Sequence, residues 1–516
     1  MGPIYSGLVA GISFAVGYMI GTIMSWAIRK VVHAEVPHWA KDIAWIILLI
    51  GLPVVMITYI VWTSGWQNGV RSLVGEEPIH GYHFVTIISI AILVAFLLML
   101  LGRSIAWVAN KFGNLIRKLG LPSGLGTLMG IIATIVVLYM LYNGVLVNAF
   151  VTVSNNIYRD TNNLTKPGAV QPQSSYRSGS SASVVGWDTL GRQGRSFVSG
   201  GPNQEQLTTF NESPAKEPIR VYAGVQSAAT PEERARLAVQ ELERTGAFSR
   251  EVLVAATATG TGWIEPQSAD SLEYIWNGDT AIATIQYSYL PSWISFLVDH
   301  ENAALAGRAL FDAIYDKWRT LPEDDRPRLL VYGLSLGSYG SQAAFSGVDD
   351  LQNRTDGALF VGSPSFSQPW GYFEKGRDSG SPEWQPVYHG GQAVRFASSS
   401  QDIQDTNTAW GEPRILYMQH ASDPVVWWNL DLILKQPDWL KESRGADVTP
   451  LMKWYPFITF TQVTVNQFFA ADAQPGHGHN YSNVVGDAWA AVAEPPNWTK
   501  EKSEKLQEII KSYPTN

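Results

Sequence analysis

Four short stretches carry the residue types that could do chemistry. The first is Gly333-Leu334-Ser335-Leu336-Gly337, entered from the apolar run Leu329-Leu330-Val331-Tyr332. A Gly-x-Ser-x-Gly turn between a strand and a helix lifts a serine hydroxyl above the sheet edge, and its glycines leave room beside it. Such a serine attacks an acyl carbonyl when a base takes its proton and a carboxylate orients that base. On this kind of turn the acid follows the serine in the chain and the histidine comes last. Asp423, just after a strand, and one histidine of His477-Gly478-His479 fit that order. His479 is preferred as the base because it lies nearer the following element, which leaves His477 as a supporting residue. Asp431 and Asp438 lie away from any strand end and are weaker acids for the role. The developing oxyanion falls to the N–H of Leu336 and to an N–H of the loop Thr259-Gly260-Thr261-Gly262, whose glycines admit close approach of a substrate.

Each stretch also has a plainer reading. Ser335 can sit in an ordinary glycine-rich turn, and Asp423 can cap the turn before Pro424. The Thr257–Trp263 loop can be read as a phosphate cradle, but no lysine follows it. Two histidines two apart can bind a metal, yet no second cluster with ligand spacing accompanies them. No metal and no cofactor is expected.

The elements that must position these residues alternate along the chain. Ile219–Gly224, Glu251–Ala256, Ala281–Tyr287, the run into Ser335, Gly357–Val361 and Arg414–Gln419 read as strands. Thr230-Pro231-Glu232-Glu233 opens a helix that Gly246 ends, and further helices fit Pro266–Ile275 and Glu301–Trp318. Strand alternating with helix predicts an α/β domain: a mostly parallel sheet with helices on both faces. In such sheets ligands sit beyond the carboxyl ends of the strands, which is where the Thr257–Trp263 loop, the serine turn and the Asp423 loop fall.

The remainder of the chain is of a different kind. Four apolar runs lie at about Ile4–Ala27, Ile43–Trp62, Phe84–Leu101 and Leu125–Val147. Each is near the length that crosses a hydrocarbon core. The first does not read as a cleaved leader, since Arg29-Lys30 follow it and no basic residue precedes it. Residues 1–150 therefore read as an α-helical transmembrane bundle of about four spans. Arg29, Lys30 and Lys41 in the first loop, and Arg103, Lys111, Arg117 and Lys118 around the third, put those loops inside. Both ends then lie outside, and Trp62, Trp66, Tyr82 and Tyr139 suit the membrane interface. The runs hold no buried acidic pair or histidine cluster of the kind a transporter needs.

Residues 1–150 carry eight basic and four acidic side chains, so the rest of a chain of net charge -8 carries -12. An acidic soluble half argues against nucleic acid as a partner. There is no cysteine, hence no disulfide and no thiolate nucleophile. Residues 151–217, rich in Ser, Gly, Asn and Gln, read as a linker with a membrane-proximal loop around Trp187–Arg195, which leaves 218–516 as the catalytic domain. Trp427, Trp428, Trp439 and Trp454 suit a core, or the wall of an acyl slot. The charged tail Trp498–Tyr513 reads as a surface helix.

Taken together, six motifs resemble the actinobacterial membrane-bound alpha/beta-hydrolase family over nearly the whole chain. They are Thr259-Gly260-Thr261-Gly262-Trp263, Gln286–Trp293, Gly333–Ser338, Arg377–Pro382, Gln419–Trp428 and Gly476–His479. The position of Leu334 is often acidic in that family, a departure that touches the polarity of the site rather than its chemistry. The resemblance implies a multi-span N-terminal region joined to an alpha/beta-hydrolase catalytic domain, an envelope setting, and an ester or acyl-lipid as substrate. The expectation is an integral plasma-membrane serine esterase whose catalytic domain is extracytoplasmic, with the membrane and a lipid or acyl ester as partners. An acyltransferase would use the same three side chains, and a non-catalytic lipid-binding or scaffold protein would keep the fold without the activity.

Overall fold

In the computed structural model the described residues are 2–31, 37–79, 81–118, 122–404 and 408–513. They form two compact units: Met1–Phe150 with Leu451–Asn466, and Val151–Pro450 with Gln467–Asn516.

The first unit is helical. It comprises α1 (Pro3–Val31), α2 (His38–Leu73), α3 (Tyr82–Arg117) and α4 (Ser123–Leu141), and α4 runs through one π turn into α5 (Val147–Asn163). Four helical stretches here are long and apolar enough to cross a membrane. Leu49 of α2 and Val85 of α3, each 68% exposed, belong to an apolar surface too large to suit water. Small residues let the helices meet: Gly7 and Gly11 of α1 lie against Ile90 and Val94 of α3, and Gly130 of α4 against Gly113 of α3. Glu35 and the side chains of Lys30 and Tyr82 lie outside the described residues.

Leu451–Asn466, expected within the catalytic domain, joins this unit instead, with its helix Ile458–Asn466 on α1. The run Trp454-Tyr455-Pro456-Phe457-Ile458 has neither the strand nor the amphipathic-helix period that an α/β core demands.

The second unit is built on seven strands: β1 (Ile219–Ala223), β2 (Val252–Thr257), β3 (Thr280–Ile285), β4 (Arg328–Leu334), β5 (Gly357–Val361), β6 (Val394–Ala397) and β7 (Arg414–Met418). Their order is β1-β3-β2-β4-β5-β7-β6, and every pairing is parallel. The strands are buried on both faces, the reason they read as unbroken apolar runs. On β4, Leu330, Tyr332 and Leu334 join a core cluster with Trp489, while the alternate residues point the other way. β6 escapes a reading of the sequence because four residues at a sheet edge carry almost no period.

Helices flank the sheet: α6 (Gly191–Ser199), α7 (Gln204–Asn211), α8 (Pro231–Thr245), α9 (Pro266–Ile275), α10 (Ser292–Val298), α11 (His300–Trp318) and α12 (Leu336–Gln342). The helix start read at Thr230 is a reciprocal cap with Glu233, and Gly246 ends α8 at φ 72°.

Residues 151–217 are not a solvated spacer. Val185, Leu190, Phe197, Val198, Leu207 and Phe210 are buried in the main core, and α6 packs on the edge strand β1. The polar composition conceals a few well-spaced apolar residues that cover an otherwise open sheet edge. The tail helix Lys500–Lys511 is likewise only partly surface, since Leu506 and Ile510 are buried.

Arg220 on β1 ties this covering layer to the core. Its Nε donates to Glu273 Oε1 at 2.7 Å, its Nη2 to Asp270 Oδ1 at 2.5 Å, and its Nη1 to the carbonyl of Phe197 at 2.9 Å. All three charged side chains are at least 95% buried. Arg220→Met leaves two carboxylates without their counter-ion, and should cost about 3–5 kcal/mol of unfolding free energy in a urea titration. A loss under about 1 kcal/mol would mean that the carboxyls are already neutral in the folded state.

Candidate active site

The four strands β2, β4, β5 and β7 are neighbours in the sheet, and the loops leaving their carboxyl ends bring the candidate residues to one region. Ser335 follows β4 directly. Its backbone sits at φ 57°, ψ −127°, a conformation that a bulky neighbour would prevent. A Cβ on Gly333 would lie 2.3 Å from the carbonyl oxygen of Gly337, and one on Gly337 would lie 2.2 Å from that of Thr257. Both glycines of the motif are therefore required by close packing. The N–H of Ser335 donates to the carbonyl of Val361 at 2.9 Å, which fixes the turn to β5. Ser335 is 7% exposed and lines a cavity of about 610 Å³ together with His479.

Asp423 follows β7 and is fully buried. It accepts three hydrogen bonds: from the N–H of Val425 at 2.8 Å, from the Tyr481 hydroxyl at 2.7 Å, and from His479 Nδ1 at 2.6 Å. The plain reading of Asp423 as a cap before Pro424 thus holds as well, because one oxygen caps the turn while the other takes the imidazole. The ring of His479 packs over Gly362 at the end of β5, where a Cβ would come within 2.4 Å of Cε1. With Nδ1 given to Asp423, the other ring nitrogen, Nε2, is buried and has no hydrogen-bond partner among the described residues.

The loop that carries His479 is fastened at three points. The N–H of His479 donates to the carbonyl of Ala470 at 2.8 Å, that of Gly478 to Ser422 Oγ at 2.8 Å, and His420 Nδ1 lies 2.9 Å from the carbonyl of Gly478. His477 lies elsewhere, with its Nδ1 3.8 Å from Asp447 Oδ2 and its side chain 28% exposed. Of the two histidines only His479 reaches Asp423.

The Thr259–Gly262 segment is a tight turn. The N–H of Gly262 donates to the carbonyl of Thr259 at 2.6 Å, and that of Thr259 to the carbonyl of Trp263 at 3.0 Å. Two of the four oxyanion candidates in this loop are therefore occupied by the turn itself. Gly260 and Thr261 are its central residues, and among the described residues their N–H groups have no acceptor. Leu336 opens α12, so its N–H has no intrahelical acceptor either.

Sequence reading missed several residues of this cavity. Trp263, Trp293, Phe296 and Phe468 form its aromatic lining, while the adjacent Trp427 and Trp428 do not line it. Trp427 is core, packed on Trp370 and Trp439. Tyr481 had a signal, two residues past His479, but its bond to Asp423 needs the fold. Glu265 opens α9 at the cavity wall; its Oε2 accepts from Ser268 Oγ at 2.9 Å, which in turn accepts from the Tyr332 hydroxyl at 2.7 Å. Burial pushes the Glu265 carboxyl above the usual carboxylate range, against the Ser268 bond and the nearby His479, which pull it down.

A family model described as the alpha/beta-hydrolase family matches residues 219–506, and one described as the N-terminus of that family matches residues 2–202. The chain belongs to the alpha/beta-hydrolase family. Membership carries a hydrolase-type function. No curated protein and no solved structure matches the chain. In this alpha/beta-hydrolase the parallel sheet, the serine turn after β4 and the carboxylate–imidazole pair after β7 are thus found on a chain of the matching family.

His420 should make the alpha/beta-hydrolase domain sensitive to acid. Its ring stacks on Tyr481 with centroids 4.1 Å apart. Burial holds its imidazole below the ordinary histidine range, although the Gly478 carbonyl, Asp423 and Asp447 pull it upward. The folded value lies below the unfolded one of 6.5, so folding favours the neutral ring. That contribution is present above pH 6.5 and is lost as pH falls through the folded value. The melting temperature should therefore drop on acidification below neutrality, and His420→Asn should flatten part of that slope. An unchanged slope in the variant would assign the acid sensitivity to the carboxylates.

Proposed function

We propose that this chain is a membrane-anchored serine hydrolase that cleaves an ester through Ser335, His479 and Asp423. The observation that carries the reading is the state of His479: its Nδ1 is held by a buried carboxylate, and its Nε2 is unpaired beside the cavity that Ser335 lines. Ser335 Oγ adds to the ester carbonyl carbon while His479 Nε2 takes the hydroxyl proton. The oxyanion of the tetrahedral intermediate is received by the N–H of Leu336 and by that of Gly260 or Thr261. Collapse breaks the bond to the alcohol, which leaves with the proton from Nε2. Water then repeats the sequence on the acyl-enzyme, and the free acid departs. Asp423 keeps the proton-bearing Nδ1 aimed away from the serine and balances the imidazolium.

The helical unit serves in this reading as the anchor. The basic residues around its first and third helix connections, Arg29, Lys30, Lys41, Arg103, Lys111, Arg117 and Lys118, favour the cytoplasmic side, so the α/β half, which follows the fourth span, is extracytoplasmic.

The test is fluorophosphonate labelling of the full chain in detergent. Labelling of the parent is expected, with loss in Ser335→Ala. Product analysis with and without an alcohol acceptor then separates hydrolysis from acyl transfer. A well-folded parent that neither labels nor cleaves a 4-nitrophenyl ester would replace this reading with a lipid-binding or scaffold role.

A further inference from the structure

The cavity at Ser335 has walls of two kinds. Phe296, Val425 and Ala470 line it and belong with Leu336 to a buried apolar cluster, and the ring of Trp293 meets that of Phe468 edge-on with centroids 5.1 Å apart. Polar residues line it as well and come from several elements. Gln193 is contributed by α6, and Glu265 and Gln267 by the start of α9. Gln267 is 8% exposed, and its side-chain carbonyl has no hydrogen-bond partner among the described residues. The side-chain carbonyl of Gln193 is in the same position, while its Nε2 lies 3.4 Å from Thr261 Oγ1. Glu265 is 6% exposed and is held by Ser268 through one oxygen.

Buried acceptors without donors are costly, and where they line a cavity a ligand can supply the missing donors. The donor can be a hydroxyl or an ammonium. Lys166 on the same cavity wall opposes a cation, and Glu265 opposes an anion. A neutral, hydroxyl-bearing group satisfies all of these residues, because each hydroxyl donates one bond and accepts others.

We propose that Gln267, Glu265 and Gln193 form a subsite for the hydroxyls of a neutral polyol or sugar, so that the ester cleaved at Ser335 joins an apolar acyl chain to a hydroxyl-rich alcohol. The acyl chain lies against Trp293, Phe296 and Phe468, and the alcohol against Gln267, Glu265 and Gln193. This rests on the serine-hydrolase reading and names its substrate class.

The experiment compares two octanoyl esters in detergent: 6-O-octanoylglucose, whose leaving group carries hydroxyls, and 4-nitrophenyl octanoate, whose leaving group has none. The parent is expected to cleave both. In Gln267→Leu the ratio of kcat/KM for the sugar ester to that for the nitrophenyl ester should fall roughly 10-fold or more, because binding the sugar hydroxyl loses its acceptor. Gln193→Leu, at a half-buried position less exposed to folding failure, should lower the same ratio. Ratios equal to the parent's in both variants, with Ser335 still labelled by fluorophosphonate, would overturn the subsite and leave the hydrolase standing. So would a parent that cleaves only the nitrophenyl ester. A parent that cleaves neither ester and takes no label would overturn both.

Discussion

Ser335→Ala should lower kcat for a 4-nitrophenyl ester by roughly 10,000-fold or more, because loss of the nucleophile leaves only binding and oxyanion stabilisation. The change keeps Cβ, so the φ 57° backbone of the turn is neither relieved nor further strained. The folded protein should therefore melt close to the parent, which separates lost chemistry from lost structure. His479→Ala should fall into the same range, whereas His477→Ala should keep most of the activity, since His477 sits by Asp447 and away from Asp423. The nearest other hydroxyl in the turn is that of Ser338, fully buried and 2.6 Å from Ser363 Oγ. Persistent labelling of Ser335→Ala would point to a different nucleophile and sink the assignment. Equal losses from both histidine changes would mean that the loop, rather than one imidazole, is what matters.

Asp423→Asn should be the second largest effect, a fall in kcat of roughly 1,000- to 10,000-fold with the fold retained. The carboxylate accepts from three donors at once. An amide accepts through only one of its two heads. Turned so that its oxygen meets the Val425 N–H, it presents an NH₂ to His479 Nδ1 and to the Tyr481 hydroxyl. The imidazole then holds its proton on Nε2 and cannot take one from Ser335. Turned the other way, two N–H groups meet at Val425 in a site with no water access, at a cost of about 1–3 kcal/mol. Either way the base is lost or the turn is weakened. The check is steady-state kinetics alongside thermal melting. Activity within about tenfold of the parent would show that Asp423 acts chiefly as the cap of its turn.

How much of this was legible follows residue by residue. The serine turn was legible in the sequence, since its Gly-x-Ser-x-Gly pattern is contained in five residues, even though Gly337 is also required by the close approach of the distant Thr257 carbonyl. The six strands read from the sequence were, because double-sided burial writes itself as an apolar run. β6 was not, for four edge residues are too few to show a period. Residues 151–217 misled, because bulk composition is polar while the side chains that matter, Leu190, Phe197 and Leu207, are sparse. The same limit hid Leu451–Asn466, whose place with α1 depends on a partner helix more than 400 residues earlier in the chain.

The sequence by itself determined the two-part plan, the parallel α/β domain, the identity of the serine turn and the order in which an acid and a histidine follow it. Those properties are written in local periods, turn residues and chain length. Only the tertiary structure decided that His479 rather than His477 meets Asp423, that Tyr481 shares that carboxylate, and which amides of the Thr259–Gly262 turn remain to donate. It also decided that glutamines from α6 and α9 share a cavity with aromatic rings from α10 and from the residues just before the histidine loop. Each of these depends on groups tens to hundreds of residues apart brought together by packing, and a distance of that kind has no period in the sequence to read.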